Sequence, residues 1–127
     1  MVKIFIICLI LINTSFTSAK TLGNDTGLKI PRFVSLKSDN SNLRVGPSKN
    51  YPIKLRYIVA NTPVEIIDEY QDWRKINDYE GNEGWLHKSL IKGKRFAVVN
   101  TPYQEGLQVF NNPKGNNIGK IGKKNIL

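Results

Sequence analysis

Between residues 33 and 99 the chain runs as short apolar pulses cut apart by Pro, Gly, Asn and Asp, and this rhythm more than anything else restricts its fold. No segment there keeps an i, i+3, i+4, i+7 apolar stripe between capping residues, so helices are not the main element. Phe33-Val34-Ser35-Leu36-Lys37 reads as a first strand. A long irregular excursion follows through Asp39-Asn40-Ser41-Asn42, Gly46-Pro47-Ser48 and Tyr51-Pro52, with Leu43 and Val45 alternating around Arg44. Leu55 to Val59 resumes a strand, Asn61-Thr62-Pro63 marks a turn, and Val64 to Tyr70 is the strongest strand, β-branched at Val64, Ile66 and Ile67. Gln71-Asp72 makes a tight connection to Trp73–Asn77, and Glu80-Gly81-Asn82-Glu83 a four-residue hairpin loop into Gly84–His87. Phe96–Val99 reads as the closing strand. Strands this short must bury one face and hide their edges. The expectation is therefore an all-β domain, a small barrel of five to six strands with a long irregular loop after the first strand. Half of a larger sandwich is the rival arrangement.

The flanks are of a different kind. Lys3 followed by the apolar run Ile4 to Ile12 is too short to span a bilayer, and Thr17-Ser18-Ala19 supplies small residues for cleavage. Residues 1–19 are expected to be a signal peptide cut after Ala19, which implies export to the periplasm or cell envelope with no stable membrane span after cleavage. A retained anchor is the competing reading. The single cysteine, Cys8, leaves with this leader, so the domain must be held by apolar burial without disulfides, and no cysteine-based zinc cluster is available. Residues 20–32 mix Gly, Asn, Thr and Pro with no apolar period and read as a linker. Residues 100–127 contain an echo of the barrel: Leu43-Arg44-Val45 returns as Leu107-Gln108-Val109, and Ile58 has a counterpart in Ile121. Nothing after Ile126-Leu127 corresponds to the strands of Trp73 and Trp85, so this stretch is expected to be an incomplete second repeat or a loosely ordered tail.

With Lys3 removed, 18 Lys and Arg stand against 10 Asp and Glu. Residues 33–99 carry 11 basic and 8 acidic groups, so the excess is dispersed along the chain and forms no nucleic-acid stripe. Catalytic patterns are absent. No nucleophilic serine motif occurs, the cysteine is lost, the glycines lack a phosphate-loop spacing, and the sole histidine, His87, has no companions spaced for a metal. The carboxylates Glu65, Asp68, Glu69 and Asp72 crowd one strand and turn, where neighbouring basic groups account for them. No enzyme activity, cofactor or metal is expected.

The blocks LRVGPSKNYPI, TPVEIIDEYQDWRKI and GNEGWLHKSLI, in that order, resemble the bacterial SH3-like family over about residues 33–99. The resemblance rests on Arg44-x-Gly46-Pro47-Ser48, Asp72-Trp73-x-Lys75-Ile76 and Gly84-Trp85-Leu86. It implies a five-stranded barrel in exported or envelope proteins, serving as a targeting or binding unit with no catalytic centre. It also places Trp73 where eukaryotic SH3 domains carry their ligand-stacking Trp, and His87 where they carry a groove Pro.

Strand parity gives an independent reading. Residues three apart on a strand face opposite ways, so Ile76 inward sets Trp73 outward, and Leu86 inward sets Trp85 and His87 on the outer side. Outward indoles leave apolar surface wet unless a loop or a ligand covers it. One outcome is that the long 39–57 loop closes over both rings. The other makes Trp73 one wall of a shallow groove and Tyr51 the second. Residues 37–57 carry Lys37, Arg44, Lys49, Lys54 and Arg56 against Asp39 alone, which disfavours a proline-helix ligand with its flanking Arg and suits an anionic partner. The candidate binding residues are Tyr51, Trp73, Trp85, His87, Arg44 and Lys49. The leading expectation is a non-catalytic exported module for a cell-wall peptide or glycan, or for an envelope protein. Docking as a structural or assembly domain is the alternative, and nucleic-acid binding by a small barrel is a weaker one.

Overall fold

A computed structural model describes residues 21–127; the expected signal peptide, with Cys8, lies outside the described residues. Seven strands form one antiparallel sheet: β3 (Arg32–Leu36), β4 (Ser41–Arg44), β5 (Ile53–Tyr57), β6 (Pro63–Tyr70), β7 (Trp73–Asp78), β8 (Glu83–His87) and β9 (Ile91–Lys92), after a hairpin of β1 (Thr21–Leu22) and β2 (Lys29–Ile30). Their order in the sheet is β5-β4-β8-β7-β6-β3-β9. One turn of 3-10 helix, Lys88–Leu90, separates β8 from β9. A second hairpin, β10 (Leu107–Phe110) with β11 (Asn117–Ile121), pairs with itself alone.

The pleat decides which residues go inside. Val34 lies opposite Val64, and Ile66 opposite Ile76, so each strand delivers alternate residues to one face. Rolling the sheet packs that face into a single cluster of Ile30, Val34, Leu36, Leu43, Val64, Ile66, Ile76 and Leu86. Each such side chain stabilises by about 1.5–3 kcal/mol when removed from water. Tyr57 on the edge strand β5 packs on this cluster and donates its hydroxyl to Asp78 Oδ2 on β7 at 2.9 Å, while Leu90 and Ile91 reach the cluster from the other edge. The curl produces the small SH3-like barrel. Gly84 permits its tightest crossing: a Cβ there would lie 2.7 Å from Leu43 Cγ and 2.8 Å from the Arg44 carbonyl oxygen.

Asp78 fixes one end of β7. Its carboxylate accepts from the Glu80 and Asn82 backbone N–H groups, the Asn82 side chain and the Tyr57 hydroxyl. Burial alone would raise its pKa, but these donors outweigh that and hold it below the usual carboxylate range. Burial and the same contact push the Tyr57 phenol strongly upward.

The other end is closed by Glu69. A bulge between Ile66 and Asp68 shifts the alternation of β6, so that Glu69 points inward in register with Arg74. Its side chain is fully buried. It accepts from Asp25 N at 3.1 Å, Thr26 N at 2.9 Å, Thr26 Oγ1 at 2.7 Å and Arg32 Nη2 at 2.7 Å, with Arg74 Nε at 3.6 Å. Burial opposes ionisation, yet these donors prevail and hold the carboxyl at about 2. The β1–β2 hairpin is thereby clipped to the barrel, and Ile30 enters the core.

Three sequence expectations change here. The stretch 20–32, expected to be a linker, is folded from Thr21 onward, because a polar turn hides two anchoring contacts, Ile30 and the Thr26–Glu69 bonds. Phe96–Val99 does not close the barrel. β9 takes that place against β3, and Val98 instead bridges Ile126, with Ala97 and Leu127 exchanging backbone hydrogen bonds of 2.9 and 2.8 Å. The strand count reaches seven, since β4 forms within the excursion and β9 follows the 3-10 turn. The echo Leu107-Gln108-Val109 falls on β10. Like β4–β5, the β10–β11 hairpin carries an irregularity next to its loop, at Val109/Phe110 against Leu43/Arg44. Leu43 is fully buried whereas Leu107 stays 39% exposed.

Candidate functional site

The outer surface of β4, β7 and β8 assembles the candidate residues in two cross-strand rows. Trp73 lies opposite His87, and Trp85 lies between Lys75 on β7 and Arg44 on β4. All five side chains therefore share the face turned away from the core cluster. Of the two outcomes expected for the outward indoles, Trp73 follows the covered one: only 9% of it remains exposed, although it stands outside the core cluster. The His87 ring meets it edge-on, with centroids 5.4 Å apart at 81°, an arrangement favoured by the ring quadrupole. Trp85 is half-buried.

His87 is itself held. Its Nδ1 accepts from the Ser89 backbone N–H at 3.3 Å and lies 2.7 Å from Ser89 Oγ, which makes His87 the N-cap of the 3-10 turn. A nitrogen that accepts carries a lone pair, so the neutral ring keeps its proton on Nε2.

Next to this pair is a depression of about 250 Å³. Arg44, Lys49, Trp73 and His87 line it, joined by Asn40, Asn42, Ser89 and Leu90, which sequence reasoning missed. Tyr51 and Trp85 do not line it. Tyr51 is not the second wall, because its ring lies over Gly46, where a Cβ would come within 2.5 Å of it. Its backbone carbonyl does serve the site, accepting from Arg44 Nη1 at 2.9 Å and so orienting the guanidinium. Arg56 Nε donates to Asn42 Oδ1 at 2.9 Å and presses its own charge against the same rim. The lining contains two cations and no carboxylate, and within the described residues neither Arg44 nor Lys49 has an ion-pair partner. Nearby acids are engaged elsewhere: Asp72 pairs with Lys88 at 2.7 Å, a contact that lowers its pKa, and Glu83 pairs with Lys75 at 2.6 Å. Chemically the depression can accept an anion against an aromatic floor. Among the described residues no group of three or more His, Cys, Asp or Glu could hold a metal ion, and no helix is long and apolar enough to cross a membrane.

A rolled antiparallel sheet with a 3-10 turn before its last strand defines an SH3-like fold. Residues 37–93, a little under half of the chain, match the family model of the bacterial SH3 domain. The family is one of binding domains, in general without catalysis. The match begins after β3 and ends after β9, leaving out the clipped N-terminal hairpin and the C-terminal hairpin. Comparison with curated protein sequences gives no match.

Proposed function

We propose that this chain is an exported, non-catalytic SH3-type module that uses the depression beside Trp73 and His87 to hold a carboxylate-bearing peptide of the cell wall. The observation that carries the reading is the one-sided charge of that depression. Among the described residues no carboxylate pairs with Arg44 or Lys49, and Asn42, whose side-chain oxygen accepts from Arg56, lines the same depression. Such a site rewards an anionic terminus and rejects a cationic one. The N-terminal leader read from the sequence supports a location in the periplasm or envelope.

Retention of the chain on purified peptidoglycan tests this. The wild type is expected to be retained at low salt, and Lys49→Glu to lose most of that retention. Equal retention of the two proteins would rule out the basic depression as the binding site. A second reading, docking on an envelope protein, is favoured by the exposed apolar side chains Leu107, Phe110 and Ile118 of the C-terminal hairpin. Native mass measurement in envelope extracts separates the two.

A further inference from the structure

We propose that a second ligand site lies between the outer face of β3, β6 and β7 and the segment 96–100, and that it takes a short neutral saccharide. This inference goes beyond the depression beside Trp73 and does not depend on it. Four residues along β7 separate Trp73 from Asn77, a distance of about 13 Å.

The floor is set by strand register. Phe33 lies opposite Glu65, and Glu65 opposite Asn77, so the three stand in one row on the side away from the core. Tyr79 follows at the end of β7, and Val98 and Asn100 form the facing wall. The open cleft so formed has a volume of about 540 Å³, within the size range of small-molecule sites. Phe33 and Tyr79 keep 59% and 53% of their surface exposed although the C-terminal segment lies beside them.

The chemistry of the lining selects the occupant. Within the described residues no hydrogen bond or ion pair engages the side chains of Glu65, Asn77 or Asn100, while Glu80 at the rim is matched by Lys124 at 3.6 Å. A wholly apolar ligand would cover the Glu65 carboxylate and the Asn77 amide without giving them partners. An anionic ligand would meet Glu65 on the floor and Glu80 at the rim, and with Lys124 already paired to Glu80 only Lys123 would offset them. An extended peptide binds by adding to a sheet edge, but β3, β6 and β7 are interior strands with neighbours on both sides. A pyranose fits all of these terms. Its C–H face packs on the electron-rich faces of Phe33 and Tyr79, and its hydroxyls pair with planar carboxylate and amide groups.

The test is a titration of the full chain, amide by amide in NMR spectra, with chitobiose and with cellobiose. At about 10 mM sugar, a concentration that detects millimolar affinity, the amides of Phe33, Asn77, Tyr79 and Val98 are expected to shift while that of His87 stays. Phe33→Ser and Asn77→Ala, both outside the core, are expected to weaken the response about tenfold each, the loss of roughly one good contact. Unchanged melting of both variants confirms that the fold is intact. The proposal is overturned if neither sugar moves those amides, if the shifts gather at Trp73 and His87 instead, or if both variants respond like the wild type. It is also overturned if an anilinonaphthalene sulfonate fills the site and neither sugar displaces it.

Discussion

Replacing Glu69 with Gln removes one charge from the end of the barrel and leaves the shape of the side chain nearly unchanged. The single Gln oxygen can accept on one side only, from the Thr26 hydroxyl or from the Asp25 and Thr26 N–H groups, so the variant, like the protonated wild type, loses the charge and turns a donor toward donors. The wild-type carboxyl sits at about 2 against the usual 4.5. At about 1.4 kcal/mol per pH unit that gap is worth about 3 kcal/mol, comparable with the lower end of what breaking a buried ion pair costs. Arg32 and Arg74 would be left facing a neutral group, and Arg32 Nη1 already has no hydrogen-bond partner among the described residues. Because the folded-state value is depressed, the stabilisation is complete above about pH 4.5 and is lost as pH falls toward 2. Urea unfolding of both proteins at a series of pH values is the assay. At pH 7 the variant is expected to be about 3 kcal/mol less stable, a fall in Tm of roughly 15 °C for a domain of this size. At pH 2 the difference should shrink below about 1 kcal/mol. A variant within about 1 kcal/mol of wild type at pH 7, or a gap that persists undiminished at pH 2, would refute the reasoning.

Other consequences are sharper in sign than in size. Gly84→Ala forces its methyl into Leu43 and the Arg44 carbonyl, and should cost about 1–3 kcal/mol in denaturant midpoint measurements. Tyr57→Phe strips a donor from the Asp78 carboxylate and should cost about 1.5–3 kcal/mol. In the wild type, ultraviolet titration should find one tyrosine that resists ionisation well beyond the ordinary phenol range, and that tyrosine should be missing from the variant's spectrum. Asp72→Asn, which breaks a solvent-exposed pair with Lys88, should leave the denaturant midpoint nearly unmoved in the same unfolding assay.

What could be read from the residues alone followed strand parity. Ile76 and Leu86 are wholly buried, and Trp73, Trp85 and His87 stand on the other face, as a period of two requires. Parity brought Trp73 and His87 under consideration, and the basic balance of the 37–57 loop Arg44 and Lys49; these four do line one depression. It failed where the period is broken. The bulge in β6 turns Glu69 inward, and its partners Thr26 and Arg32 lie 43 and 37 residues away, beyond any local pattern. Whether Trp73 is covered or wet stayed open in the sequence, because parity gives a direction and says nothing of what a neighbouring ring covers. Phe96–Val99 has the composition of a strand, yet the place beside β3 goes to Ile91 and Lys92, which the 3-10 turn delivers there first.

The span recognised by family likeness and the span that folds together are different objects. A fragment cut at 37 and 93 would discard β3, withdraw Ile30 and Val34 from the interior, and strand Glu69 beside Arg74 without the Thr26 and Arg32 donors that make its burial tolerable. Its ladder would end at β6, baring that strand's backbone donors and acceptors to any passing chain. The homology boundary would in this way manufacture a sticky protein out of a well-behaved one.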